Sequence, residues 1–300
     1  MYQYLVPEKK RVRLIVNSDA KNEADDQFTI VHALLTPKFD IKGLIGAHFG
    51  NRLNPESAKA SVEECKKITR LMGLEEKVPV FQGARQAIQS ETEYEYSEGA
   101  RLIVEEAMKD DPRPLYVIFL GPITDMACAY LHEPRIAGRV TVIWIGGGKY
   151  PESGREFNMS NDIKAANVIM ESSIELWQVP MNVYSKMIVS FAELEEKVRP
   201  YGEIGRYLFD QLMEFVEKIS NGNGFDWTQG ECWCLGDSPT IGLLLHPQPF
   251  LSHMQEAPEI DENLGYHFTG NGRKIRVYDD INPRFILDDM FSKLKLTYGE

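Results

Sequence analysis

The sequence predicts an α/β fold: a single domain over residues 1–300, with a mainly parallel central sheet flanked by helices and its site at the C-terminal ends of the strands. Three observations carry this. Apolar runs such as YVIFL (116–120) and VTVIWI (140–145) recur along the chain. Continuous Val, Ile, Leu and Phe runs of this kind suit strands covered on both faces. Helical patterns lie between them, and strand–helix repetition implies parallel strands joined by right-handed crossovers. Neither an internal repeat nor a low-complexity linker interrupts the alternation.

The elements follow in order. An apolar run over 13–16 reads as the first strand and stops at Asn17-Ser18-Asp19, before a helix over 25–35. Further strands are expected over 41–47, 78–81, 115–120, 141–145 and 175–179, and helices over 55–72, 97–109, 123–131 and 162–171. The stretch 190–220 is helical, with acids on one face. Residues 257–278 read as a β hairpin, with an Asn-Gly turn signal in HFTGNGRKIRVY (267–278). A last helix is expected over 283–294.

Composition narrows the function. The chain has 300 residues, is 43% hydrophobic, and so has material for a sizeable core. A net charge of −12 argues against a nucleic-acid backbone as partner. No stretch approaches the roughly 20 apolar residues of a membrane span. The start, MYQYLVPEKKRVRL, has no apolar core of an export signal, so a cytoplasmic protein is expected. The four cysteines form no CxxC pair, and reduced thiols are the expectation.

In open parallel sheets ligands bind beyond the carboxyl ends of the strands. Here those ends carry Asn, Asp, Glu and Gly. NSDAKNEADD (17–26) gathers Asp19, Asp25 and Asp26 beside a buried strand. Helix capping and surface turns are the plainer explanation for acids in such places. A hard cation would explain their density better, because it removes their mutual repulsion. GREFNMSND (154–162) and CWCLGDSPTIGLLLHP (232–247) add Glu156, Asn158 and Asp237. Taken alone, each of these last two is as well explained by a loop or a helix cap.

Together these segments resemble the inosine-uridine-preferring nucleoside hydrolases, the Ca²⁺-dependent N-ribohydrolases. Their first loop reads Asp-x-Asp-Pro-Gly-x-Asp-Asp; NSDAKNEADD is similar but two residues longer, with Asn17 in the first Asp position. The resemblance continues through GLIGAHFGN, VPVFQGA, IFLGPITDMACAYLHEPRI, VTVIWIGGG, EFNMSNDIKAANVIMES, GDSPTIGLLLHP and NPRFILDDMFSKL. It implies a nucleoside hydrolase-like fold that hydrolyses the N-glycosidic bond of a ribonucleoside or related riboside. One divalent ion is implied, Ca²⁺ ahead of Mg²⁺. Asp19 would be a metal ligand that also takes the proton of the attacking water. Asp26 and Asp237 would ligate by carboxylate and Leu120 by its main-chain carbonyl. Asp25, Asn51, Glu156 and Asn158 would hold ribose hydroxyls, Asp237 would also touch the sugar, and Ile145 would lie under it.

The resemblance further implies a small-molecule riboside as partner and a homodimer or homotetramer. The other reading is a catalytically weak nucleoside- or ribose-binding protein that keeps the sugar and metal site. The departures lie at the base end. Gly236 stands where many relatives have a His that helps the base leave, and Asn182 where an Asp is usual. Tyr150, Trp227 and Trp233 are the nearby candidates for replacing that His; a Trp can stack on a base but is no practical acid. Phosphorylated substrates are expected to be poor, because no basic cluster accompanies the acids in sequence. Restoring the missing charge by Asn17→Asp is expected to be far milder than losing Asp19.

Overall fold

The computed structural model describes residues 2–50, 52, 54–222 and 228–299. From the N-terminus the chain runs β1 (Val12–Ser18), α1 (Asp26–Leu34), β2 (Phe39–Gly46), α2 (Ser57–Leu71), β3 (Val80–Gln82), α3 (Glu98–Met108), β4 (Leu115–Phe119), α4 (Thr124–His132) and β5 (Val140–Ile145). It continues with α5 (Phe157–Asn161), α6 (Ile163–Glu171), β6 (Glu175–Val179), α7 (Met181–Tyr184), β7 (Ile188–Ser190), α8 (Phe191–Lys197), α9 (Gly202–Ser220) and β8 (Cys232–Cys234). The last elements are α10 (Pro239–Leu245), β9 (Ser252–Glu256), β10 (Glu259–Ile260), β11 (Tyr266–His267), β12 (Lys274–Tyr278) and α11 (Pro283–Tyr298).

The main sheet has eight strands in the order β3-β2-β1-β4-β5-β6-β12-β9. Every neighbouring pair is parallel except β12 and β9. The apolar runs explain this. Residues of β1 alternate between two cores: Leu14 and Val16 face one with Phe28, Leu208 and Ile286, while Ile15 faces the other with Ile45, Ile103 and Met126. A strand with two covered faces has no polar side, so it reads as an unbroken apolar run. Helices α3, α6 and α11 carry side-chain caps. Ser97 accepts from the Ala100 N–H, Asp162 from the Ala165 N–H and Asn282 from the Phe285 N–H.

One expected element is corrected. Residues 257–278 do not form one hairpin turning at Asn-Gly: β10 and β11 pair antiparallel within this stretch, whereas β12 enters the main sheet between β6 and β9. Ile275, Val277 and Tyr278 are buried, and a two-stranded hairpin would leave them in water. The Asn-Gly signal is real as a bend only; Gly270 and Gly272 both take positive φ in an open connection. No helix among the described residues is long and apolar enough to cross a membrane.

Parallel pairing sends β1, β4, β5 and β6 out of the sheet at the same end. The small antiparallel sheet β7–β8 brings the start of α10 to that end as well.

Candidate active site

At the end of β1 the chain turns through Asp19, whose carbonyl accepts from the N–H groups of Lys21 and Asn22. Asp25 and Asp26 follow at the start of α1, and Asp237 comes from the turn into α10. All four acids are at least 92% buried, Asp25 the least so at 8% exposed. None spends its carboxylate capping its own helix. The side chains of Asp25 and Ser238 make no cap bond, and it is the main-chain carbonyl of Asp237 that accepts from Thr240. Asp26 instead accepts from the Ser18 hydroxyl. The capping explanation for these acids therefore fails.

Asp25, Asp26 and Asp237 each offer an oxygen within 4.8 Å of the others. Asp25, expected only on the sugar, thus joins two expected metal ligands. Asp19 stands beside them with its Oδ2 buried and unpartnered among the described residues. Gly121 makes room for it: a Cβ there would lie 2.7 Å from Asp19 Cγ. Burial raises the pKa of Asp19, Asp25 and Asp237 well above the usual range, and repulsion among the neighbouring acids adds to it. Asp26 is pushed up to about 6 and Glu23 to about 7, again chiefly by burial. An all-oxygen donor set, crowded enough to resist ionisation and with an orphaned buried oxygen, fits a hard divalent cation.

These acids line a cavity of about 420 Å³ together with Leu120, Ile145, Glu156 and Asn158. Every expected site residue is therefore on one wall or another, apart from Asn51, which lies outside the described residues. The Asn158 side-chain amide donates to the main-chain carbonyls of Leu120 (2.7 Å) and Ile145 (2.9 Å), tying the ends of β4 and β5 together. Its oxygen is what it has left for a sugar. Glu156 is more committed than the sequence suggests. It caps α5, accepting from the N–H groups of Asn158 (3.1 Å) and Met159 (2.8 Å), and also takes Gly147 N–H (2.9 Å) and the Tyr184 hydroxyl (3.0 Å). A carboxylate has about four acceptor positions, so a ligand hydroxyl on Glu156 replaces Tyr184 or bonds to it.

Tyr184 is the residue sequence reasoning missed. It ends α7, lines the cavity, and its ring edge would lie 3.1 Å from a Cβ at Gly236. The missing side chain at Gly236 is thus space that Tyr184 occupies. The resemblance drew attention to Asn182, two positions earlier, which is exposed and does not line the cavity. The named acid candidates fare less well. Tyr150 donates to Gln178 (2.6 Å), packs on Tyr266 and is not on the cavity wall. Trp233 is core, packed edge-on against Phe215, and Trp227 lies outside the described residues. Cys234 reaches the cavity as a free thiol that burial holds protonated.

Behind the loop after β2 runs a polar chain. Gly50 N–H donates to His48 Nδ1, so Nε2 carries the proton and donates to Thr124 (2.8 Å), whose hydroxyl donates to Asp162 (2.8 Å). Burial lowers the His48 pKa to about 4, so this neutral tautomer holds at neutral pH.

The probable uridine nucleosidase 1 of Oryza sativa subsp. japonica is 22% identical over 267 residues, covering 80% of this chain and 78% of the relative. The pyrimidine-specific ribonucleoside hydrolase RihB of Escherichia coli is 24% identical over 292 residues, covering 86% of this chain and 85% of the relative. Among solved structures, the purine-preferring ribonucleoside hydrolase from Gardnerella vaginalis shares the fold at TM-score 0.75 and 16% identity, covering 96% of this chain and 99% of the other. Residues 14–284 match the profile of the inosine-uridine preferring nucleoside hydrolases, and the chain belongs to that family.

Proposed function

We propose that this protein hydrolyses the N-glycosidic bond of ribonucleosides, or of a closely related riboside, releasing ribose and free base. The observation that carries the reading is the buried acid ring around one cavity, with Asp19 Oδ2 unpartnered beside it. Asp19, Asp26, Asp237 and the Leu120 carbonyl would hold the ion, with Asp25 within reach of it on the sugar side. Ca²⁺ is proposed ahead of Mg²⁺, because a crowded set of carboxylates and a carbonyl suits a large, flexible coordination shell. Bound there, the ion supplies charge neutralisation and Lewis acidity.

The chain's own groups then have these tasks. Asp19 Oδ2 accepts the proton of the attacking water as the new C1′–O bond forms. Asp25, Asn158 and Asn51 hold the sugar hydroxyls, fixing the ring while positive charge develops at C1′. The surrounding carboxylates stabilise that charge. The C1′–N bond breaks, and the nitrogen leaves with its electron pair and a proton from solvent or a donor at the base end. Ile145, on the cavity wall, would exclude water beneath the ring.

Gly236 favours a second reading, a riboside-binding protein with little turnover, since it offers no acid to the leaving base. A reducing-sugar assay with uridine and deoxyuridine on Ca²⁺-loaded protein decides. Uridine is expected to be cleaved and deoxyuridine to lose about 10-fold or more, because buried groups built for the missing hydroxyl lose their partner. Binding of uridine without ribose release supports the second reading; equal cleavage of both substrates contradicts the proposed sugar contacts. The same proposal treats residues 1–300 as one domain of a cytoplasmic homo-oligomer, which light scattering of the purified protein checks.

A further inference from the structure

A second cavity of about 300 Å³ abuts the first, and Phe157 lines both. Its other walls include Arg52, Arg155, Phe49 and Asn161. Arg52 directly follows Asn51 and Arg155 directly precedes Glu156, so each flanks a residue assigned to the ribose. The two arginines are far apart in sequence, which is why no basic cluster is visible there.

Some exposed arginines of this chain pair with a carboxylate, as Arg85 does with Glu95, Arg135 with Glu133 and Arg284 with Asp288, whereas Arg70, Arg139 and Arg206 form no ion pair among the described residues. Arg52 and Arg155 have no ion-pair or hydrogen-bond partner among the described residues. Asn161 lines the cavity with them. Asn161 Nδ2 is buried with no acceptor among the described residues. Its Oδ1 lies against Gly50, where a Cβ would come within 2.7 Å. Two forked guanidinium side chains on the wall of one small cavity match the oxygens of a phosphate.

We propose that this cavity is an anion subsite taking a phosphate ester carried by the ribose, so that the substrate class includes 5′-phosphorylated ribosides. This rests on the riboside reading of the neighbouring cavity. With the cis-diol on Asp25 and Asn158, the primary hydroxyl is the one left to extend past Glu156 toward Arg155. Hydrolysis then has the same balance: water adds to C1′, the base leaves, and ribose 5-phosphate replaces ribose as product. The sequence-based expectation that phosphorylated substrates are poor is reversed.

Calorimetric titration of the Ca²⁺-loaded protein with ribose, ribose 5-phosphate and inorganic phosphate tests this, with uridine cleavage assayed on the same preparation. Ribose 5-phosphate is expected to bind about 10- to 100-fold tighter than ribose, the range of one or two charge-assisted contacts. The advantage should shrink with salt, and in the folded R52A/R155A variant it should vanish. Equal affinities for the two sugars overturn the proposal, as does an advantage that survives in the double variant, or phosphate binding as tightly as the sugar phosphate. If uridine is cleaved and the phosphate gains nothing, the subsite alone falls. If the Arg-dependent gain is present but uridine stays intact, the subsite stands and the hydrolase reading falls.

Discussion

Asp19 Oδ2, buried and without a donor, is the oxygen best placed to accept a proton. Asp19→Asn keeps the shape and removes the basicity. Turnover is expected to fall by roughly 10²–10⁴-fold with a much smaller change in KM; steady-state kinetics with uridine check this, and near-normal kcat removes Asp19 as the base. Asn17 tells a different story from the one its sequence position suggests. Its amide donates to Asp125 Oδ2 at 2.8 Å, and Asp125 also accepts from Ser97 and the Ala84 N–H. Asn17→Asp would set two buried carboxylates against each other. It is therefore not a mild change: a loss of about 1–3 kcal/mol is expected. A shared proton raises the pair's folded pKa, so the loss is small at low pH and grows as pH rises. Urea melts at pH 5 and pH 8 measure it, and equal losses at both would contradict the account. The strand-end acids were legible because they interrupt apolar runs. The partner of Asn17 was not, because it lies 108 residues further along the chain.

The strands and helices read between residues 13 and 179 lie within about two residues of the observed ones, because burial on both faces leaves an unbroken apolar run, while the short α5 between them was not read. The hairpin was misread because a local turn signal competes poorly with the burial of Ile275 and Val277. The short helix α7 was illegible: four residues carry no periodicity, yet they deliver Tyr184 to the cavity. Its ring fills the side of Gly236, and its hydroxyl, held on Glu156 with a pKa raised by burial, is a poor acid. The base end thus has space filled without a proton supplied. An aglycone that leaves without protonation, such as nitrophenol, should depart faster from its riboside than hypoxanthine from inosine. Assaying both on one preparation checks this; equal rates would reveal a donor elsewhere.

Across the whole molecule the acid ring opposes folding until it is neutralised. Without ion, Asp26 titrates at about 6 and Glu23 at about 7, against 3.8 and 4.5 for the free side chains. The folded state then holds more protons than the unfolded one between about pH 4 and 7, so stability falls as pH rises through that window. His48, between its free value of 6.5 and about 4, and His32, also lowered by burial, act oppositely, but both lose their protons below most of the range from pH 6 to pH 8. Chelated protein should therefore melt at lower temperature at pH 8 than at pH 6, and saturating Ca²⁺ should abolish the fall. Differential scanning fluorimetry with and without chelator measures both slopes; identical slopes would separate the ion from the acids.

The ring also has a history within folding. Asp19 and Asp26 come from the start of the chain and Asp237 from its last quarter, so the ring closes only after most of the sheet has assembled. Distant segments meet late, because their loop must close before the contact yields anything. A cation that needs all of them has little to grip in the transition state. It should act as a latch, slowing escape from the folded state while leaving arrival unchanged. Stopped-flow denaturant jumps should show an unfolding rate that drops with added Ca²⁺ and a refolding rate that does not move.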